Sequence, residues 1–197
     1  MLNETTTTAK STLWPRFSSC LGGMLLGWLC VGPALAADRI VPELGVSASD
    51  SIAIYRLAWQ RDWERRWFTA GEWFLGGYWE VNLGYWKGEE GKTGNSDLFE
   101  VGVVPVFRLQ RHQPLASGMR PYVEFAVGAH LLSDTKIEDR ELGSAFQFSD
   151  HIGVGALFGK GEQFDLGFRL QHISNAGLKE PNDGINVMFL AHLGYRF

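Results

Sequence analysis

Hydrophobic and polar residues alternate along most of the chain after residue 37, which is the pattern of β-strands with one apolar face. The clearest run covers residues 73–85, where every second residue except Gly77 is apolar or aromatic. Comparable runs cover 99–109, 122–131, 151–158, 164–174 and 185–197, and weaker ones lie near 41–48 and 52–63. No segment keeps a helical period for long. The pattern therefore predicts eight strands and no helix in this part of the chain.

Turn-forming residues separate these runs. The segment 89–95 is rich in glycine and charge, 113–121 holds two prolines and a glycine, 159–161 is tight, and 182–184 reads Asn-Asp-Gly. These turn-forming segments predict chain reversals between successive strands, and hence antiparallel pairing of neighbouring strands.

The alternation leaves two architectures open, because an apolar face can line the core of a water-soluble sandwich or the outside of a membrane barrel. The polar faces mix glycine with charges of both signs, as suits the crowded interior of a small barrel. Aromatic residues concentrate near predicted strand ends, as interface girdles do: Trp63, Trp67, Trp73, Tyr85, Trp86 and Tyr195. The last run ends on Phe197, similar to the carboxy-terminal sorting signal of outer-membrane barrels. We therefore predict an all-β fold, an eight-stranded antiparallel transmembrane β-barrel of the bacterial outer membrane.

The first 36 residues have the features of a secretory signal peptide. Lys10 and Arg16 precede an uncharged run from Leu21 to Val31, which is too short to span a bilayer as a helix. Small residues at 34–36 predict cleavage before Ala37, which leaves residues 37–197 as a single β-barrel domain. Both cysteines lie in the leader, so we expect no thiol chemistry afterwards. The net charge of -4, without a basic stripe, argues against nucleic acid as a partner.

His172 and Ser174 are the candidate chemical groups. They follow Leu166, Phe168 and Leu170 on the apolar face of the strand 164–174, so a base and a hydroxyl are neighbours facing lipid. In an even-stranded barrel with periplasmic termini this strand runs outward, so both residues lie near the outer-leaflet head groups. Histidine changes protonation near neutral pH and can activate a serine hydroxyl.

The segment from His172 to Lys179, followed by Pro181-Asn182-Asp183-Gly184, resembles the signature of the lipid A 3-O-deacylase (PagL) family of outer-membrane esterases. The resemblance extends through 77–79, 105–107, 121–124 and 142–148. It implies hydrolysis of the ester between a 3-hydroxyacyl chain and position 3 of lipid A, which is the anchor of lipopolysaccharide. The implied partners are therefore this substrate and the surrounding outer-membrane lipids. It further implies Ser174 as the nucleophile, His172 as the general base, and Asn175 and Gly177 as oxyanion donors. The resemblance is also compatible with a homodimer.

One position departs from the family pattern. The third member of the triad is often a glutamate, and Asn186 stands in its place. An asparagine can orient the imidazole but cannot balance its charge, so Glu180 or Asp183 in the adjoining loop are alternative acids. Counting back from Phe197 also places Asn186 on the lumen face, opposite to His172, unless a bulge near Ile185 intervenes.

Two other functions stay open on these residues: a non-catalytic small barrel with a structural or binding role, and an outer-membrane phospholipase. The alternation of the strands places three histidines on the face that points into the lumen: His130, His151 and His192. This position indicates members of buried polar networks rather than metal ligands. Histidines and carboxylates do not cluster at metal-ligand spacing, so we predict no metal and no cofactor.

Overall fold

The computed structural model describes residues 38–48 and 51–197. The predicted signal peptide, residues 1–36, lies outside the described residues, and its boundary with the barrel domain stays a prediction. The strands in chain order are β1 (Asp38–Ser47), β2 (Ala53–Asp62), β3 (Trp73–Lys87), β4 (Asp97–Arg111), β5 (Arg120–Leu132), β6 (Lys136–Ile137), β7 (Arg140–Glu141), β8 (Phe146–Phe158), β9 (Phe164–Ser174) and β10 (Ile185–Arg196). A 3-10 turn, Lys160–Glu162, joins β8 to β9.

Eight of these strands close into a barrel in the order β1-β10-β9-β8-β5-β4-β3-β2, and every neighbouring pair is antiparallel. Closure occurs at β1, where Arg39 pairs with Gln60 of β2 on one side and with Arg196 of β10 on the other. A closed sheet has no unpaired edge, which is what a membrane-spanning sheet requires. The predicted eight-stranded antiparallel barrel is confirmed. The hairpin β6–β7 was not predicted, because two residues per strand are too few to show a period.

The apolar face of the barrel points outward. Leu83, Phe99 and Val127 are 61%, 62% and 63% exposed, and the inward neighbours of such residues are buried. A water-soluble sandwich would bury this face against a second sheet, so that alternative is wrong. Among the described residues no helix is long and apolar enough to cross a membrane. Trp86 departs from the predicted aromatic girdle, because its side chain points inward, is fully buried and donates to Glu100.

Charged side chains fill the lumen. Arg169 is 2% exposed and binds Glu43 at 2.6 Å, Glu124 at 2.8 Å and Glu80 at 3.0 Å. Arg56 and Arg108 are held in the same way by the carboxylates of Glu43, Glu100, Glu124 and Asp165. An unpaired buried charge is destabilising by several kcal/mol, whereas charges paired on every side can be packed inside a narrow barrel.

An apolar cluster closes the lumen at the end where β9 finishes, which is the extracellular end under the predicted topology. It comprises Ile52, Ile54, Trp86, Leu98, Leu132, Ile137, Leu142, Ile173, Ile185, Val187 and Leu190. Ile137 of β6 and Leu142 just after β7 are fully buried, so the short hairpin is folded down onto the barrel mouth. The cluster supports the end of β9 from the inside.

Candidate active site

His172 and Ser174 lie at the outer end of β9 and face away from the lumen. Ile173 between them is fully buried, while Leu170 on their face is 53% exposed. The alternation of the strand thus continues to its last residue, as predicted from the sequence. Both polar side chains are partly exposed on the largely apolar outer surface of the barrel.

Asn186 of β10 holds the imidazole of His172. The two residues are register partners, and 2.7 Å separates Nδ1 of His172 from Oδ1 of Asn186. An amide oxygen only accepts hydrogen bonds, so Nδ1 carries the proton and Nε2 keeps its lone pair. This is the tautomer that a general base needs.

A β-bulge brings Asn186 to the outer face, which corrects the lumen position obtained by counting back from Phe197. The pairing of β10 with β9 passes from Val187 opposite Gln171 to Leu190 opposite Arg169, so β10 contains one extra residue. Met188 and Phe189 are both exposed, at 56% and 52%. The bulge therefore lies at these two residues rather than near Ile185. Val187, expected on the same face as Phe189, points inward for the same reason.

Ser174 and His172 border one small space beside Gly184. At the point where a Cβ on Gly184 would stand, Cε1 of His172 is 3.0 Å away and Cβ of Ser174 is 3.5 Å away. The Ser174 hydroxyl accepts a 3.4 Å hydrogen bond from the Ala176 N–H, and no hydrogen bond joins it to His172 among the described residues. Rotation about the Cα–Cβ bond is the one torsion that changes the position of the Ser174 hydroxyl.

Asn175 organises the loop 175–184, called here the site loop. Its side-chain amide donates to the carbonyls of Leu142 at 2.9 Å and Lys179 at 2.6 Å, and its backbone N–H donates to Oδ1 of Asn182 at 3.0 Å. All three of its N–H groups that could face an oxyanion are thus engaged. Asn175 lies beside Ser174 as the sequence indicated, but its donors hold the loop to the barrel mouth.

Gly177 and Asn182 present the donors that this network leaves open. Gly177 has a φ of +74°, and nothing lies within 4 Å of the position of a Cβ there. Its N–H and the side-chain N–H groups of Asn182 have no partner among the residues that the structure describes. Sequence reasoning placed Asn182 in a turn and in the family signature but did not assign it a role in the site.

The two loop acids are placed differently from Asn186. The carboxylate of Asp183 accepts the Glu141 N–H at 2.7 Å, and the Asp183 N–H donates to the Glu141 carbonyl at 3.1 Å. Asp183 therefore ties the site loop to the β6–β7 hairpin. Glu180 is exposed, and neither acid contacts His172 within the described ranges. Of the three candidates, Asn186 is the residue that contacts the imidazole.

A fourth polar residue, Asp150, belongs to the same outer surface and was also missed. It lies on β8 directly across from His172, while Phe148 lies across from Ser174. Its side chain is exposed. Asp150, His172, Ser174 and Asn186 thus form a contiguous outer polar cluster on β8, β9 and β10. The sequence signal for Asp150 was a single carboxylate between Phe148 and Ile152 on the apolar face of its strand. The described residues contain no group of three His, Cys, Asp or Glu that could hold a metal ion.

A closed eight-stranded barrel with an apolar exterior defines the class of small outer-membrane barrels, and this one carries a histidine–serine pair facing lipid. Residues 53–196 match the family model described as Lipid A 3-O-deacylase (PagL). The chain is 35% identical over 155 residues to the lipid A deacylase PagL of Pseudomonas aeruginosa, covering 79% of this chain and 84% of that one. It is 36% identical over 118 residues to the lipid A deacylase PagL of Bordetella bronchiseptica, covering 60% and 61%.

A solved structure agrees with these relatives. The crystal structure of the outer membrane enzyme PagL superposes with a TM-score of 0.71 at 30% identity, covering 80% of this chain and 98% of that chain. The chain belongs to the lipid A 3-O-deacylase (PagL) family. The predicted family, the outer-membrane location and the class of carboxylic ester hydrolase are thereby confirmed.

Proposed function

We propose that this protein hydrolyses the ester that joins a 3-hydroxyacyl chain to position 3 of lipid A, with Ser174 as the nucleophile and His172 as the general base. The observation that carries the proposal is the placement of both side chains on the lipid-facing surface, with the tautomer of His172 fixed by Asn186. Here the substrate meets the nucleophile while its acyl chains stay in the leaflet.

The outer surface around the cluster suits an amphipathic lipid. Leu170 is 53% exposed directly below His172, and the rings of Phe168 and Phe189 lie 5.1 Å apart next to it. Acyl chains can lie along this face of β9 and β10, since apolar surface gains by contact with apolar chains. The sugar ring of lipid A would then stand at the level of the site loop, with its ester bonds beside Ser174.

In the first half of the reaction, Oγ of Ser174 attacks the ester carbonyl carbon while its proton passes to Nε2 of His172. The tetrahedral intermediate carries its negative charge on the former carbonyl oxygen. When it collapses, the bond from the carbonyl carbon to the sugar oxygen breaks, and His172 returns the proton to that oxygen. The products of this half are a free 3-hydroxyl on the sugar and an acyl group on Ser174.

In the second half, a water molecule attacks the acyl-serine carbonyl and gives its proton to Nε2 of His172. Collapse of the second intermediate breaks the bond to Oγ, and the proton returns to Ser174. The released product is a 3-hydroxy fatty acid. Asn186 keeps Nδ1 protonated throughout, so the imidazole presents the same nitrogen in both halves.

The negative oxygen needs hydrogen-bond donors that are free before substrate binds. In the proposal these are the N–H of Gly177 and the side-chain N–H groups of Asn182. Asn175 contributes by shaping the loop that carries them, since its own donors bind Leu142, Lys179 and Asn182. One such donor can stabilise the transition state by roughly 2.7–4 kcal/mol.

The test is mass spectrometry of lipid A from membranes that carry the protein or lack it. The expected result is a loss of mass equal to one 3-hydroxyacyl group, and Ser174→Ala and His172→Ala should each abolish it. Both variants should remain heat-modifiable barrels on gels, which shows that folding is intact. Lipid A that never changes mass, with free fatty acid released from phospholipids instead, would favour the phospholipase alternative.

A further inference from the structure

Asp150 differs from the rest of the barrel exterior because it is charged and lies several residues from the end of its strand. Among the described barrel strands, it is the one charged residue that faces outward more than two positions from the end of its strand. The other outward-facing charges, such as Arg61, Lys87 and Arg111, lie at or next to strand ends. Charged groups on the lipid face are destabilising to an extent that grows with depth. A carboxylate at this position therefore calls for a physical reason.

The register between β8 and β9 supplies that reason. Asp150 is the cross-strand partner of His172, and on its other side it faces the apolar Val127 of β5. Directly opposed residues on one face have Cβ atoms about 4.5–5.5 Å apart. His172 thus has an acidic register partner on β8, Asp150, and is hydrogen-bonded to the amide of Asn186 on β10.

Among the acids near His172, Asp150 is the one that lies in direct register with it on a neighbouring strand, whereas the site-loop acids do not. The charged groups of the site loop are Lys179, Glu180 and Asp183, and the carboxylate of Asp183 is bound to the Glu141 N–H at 2.7 Å. Asn186 fixes the tautomer but carries no charge. Yet His172 becomes a cation each time it takes a proton from Ser174 or from water, so an unbalanced charge would develop on the lipid-facing surface.

We propose that Asp150 is a positioning residue for His172, and that it supplies the negative charge which Asn186 lacks. The duties of one triad acid are thus divided between two strands, with orientation from β10 and charge compensation from β8. This inference rests on the proposed function, because it assigns a partner to the same general base. Asp150 touches neither the substrate nor the reacting atoms, and it acts only through the imidazole.

The experiment compares Asp150→Asn with the wild type on purified lipid A in detergent micelles, over a range of pH. The substitution should lower kcat roughly 10–100-fold with little change in KM, less than the ~10⁴-fold loss when a directly hydrogen-bonded acid is replaced. Without the carboxylate the imidazolium is less stable, so the neutral base persists to lower pH. The midpoint of the rise in kcat with pH should therefore move to lower pH.

A second substitution separates charge from structure. Asn186→Glu in the Asp150→Asn background should restore most of kcat and move the midpoint back, because it returns a negative charge next to His172. Asp97→Asn is the matched control, since Asp97 lies at the same end of the barrel but pairs with Lys87 at 3.4 Å, three strands away from β9. It should leave both kcat and the pH profile unchanged.

Two results would overturn the proposal. One is an Asp150→Asn enzyme with wild-type kcat and pH midpoint; the other is a loss of rate with no shift of the midpoint and no rescue by Asn186→Glu. Failure of the proposed function is distinguishable, because the wild type itself would then release no 3-hydroxy fatty acid from lipid A.

Discussion

The barrel contains two serine–histidine arrangements, one inside and one outside, and in the inner one the histidine binds the serine and contacts a carboxylate. In the lumen, Nε2 of His130 lies 2.7 Å from Oγ of Ser149, and Nδ1 of His130 contacts the carboxylate of Glu100. These three residues are called here the interior chain. On the exterior, His172 is bound by an amide at 2.7 Å and makes no hydrogen bond to Ser174 within the described residues.

Access and surroundings distinguish the two arrangements. His130, Ser149 and Glu100 are each 1% exposed, and the apolar cluster closes the lumen near them. Glu100 is also bound by Arg56 at 3.0 Å, so its charge is already balanced by an arginine. No ester carbonyl can reach Ser149 without opening the barrel. A histidine between a serine and a carboxylate is thus no evidence of catalysis by itself, and an arrangement that faces the substrate phase is the better candidate.

The largest expected effect comes from exchanging the two serines for alanine. Ser174→Ala should lower the rate of 3-hydroxy fatty acid release at least ~10³-fold, as for other activated serines. Ser149→Ala, the matched control, should retain activity within a few-fold because it removes a hydroxyl that no substrate reaches. Both rates are measured on purified lipid A with equal amounts of heat-modifiable protein.

The assignment of catalysis to the outer arrangement would be wrong if Ser149→Ala abolished activity in a folded barrel while Ser174→Ala did not. That result would place the chemistry in the lumen and require a route for lipid through the barrel mouth.

The second prediction concerns the stability of the fold, which should depend on the charges in the lumen and not on those at the surface. Arg169→Gln leaves the carboxylates of Glu43, Glu80 and Glu124 without their shared partner, and breaking such buried pairs costs about 3–5 kcal/mol. Urea unfolding in lipid vesicles measures this loss as a drop in the free energy of unfolding. The enzyme that stays folded should keep its activity, because Arg169 points away from the outer polar cluster.

Lys92→Gln is the control for this variant. Lys92 forms a 2.8 Å ion pair with Asp139, but its side chain is 83% exposed, and exposed pairs contribute little to stability. An Arg169→Gln barrel as stable as Lys92→Gln would show that the lumen charges do not hold the fold together.

The sequence allowed the distinction between inside and outside to be predicted, because it depends on a period of two. Parity placed His130, His151 and His192 in the lumen, and the structure confirms them as 1%, 5% and 3% exposed. The same parity placed His172 and Ser174 on the lipid face. These positions follow from local alternation, which each strand carries in its own residues.

Contacts between strands could not be predicted in this way. The extra residue at Met188 and Phe189 is invisible to a period of two, because both residues are apolar and fit either face. The neighbourhood of Asp150 and His172 depends on the register of β8 against β9, which turn length and closure set together. The engagement of Asn175 depends on carbonyls of Leu142 and Lys179 that only the folded loop brings close.

The smallest effect tests how tightly the outer site is packed. A Cβ on Gly184 would stand 3.0 Å from Cε1 of His172, so Gly184→Ala should displace the imidazole from its position beside Ser174. Gly184 also has a φ of +61°, which disfavours alanine whatever the space. We expect roughly a tenfold loss of kcat, about 1.4 kcal/mol of transition-state stabilisation.

Gly94→Ala separates crowding from backbone strain. Gly94 has a φ of +72° in the loop between β3 and β4, and nothing lies within 4 Å of its Cβ position. It should reproduce the loss of stability caused by alanine in a left-handed conformation without any loss of kcat. Equal kcat in Gly184→Ala and Gly94→Ala would mean that catalysis tolerates a displaced His172. The activity of the outer site would then depend on its exposure to lipid more than on a fixed geometry.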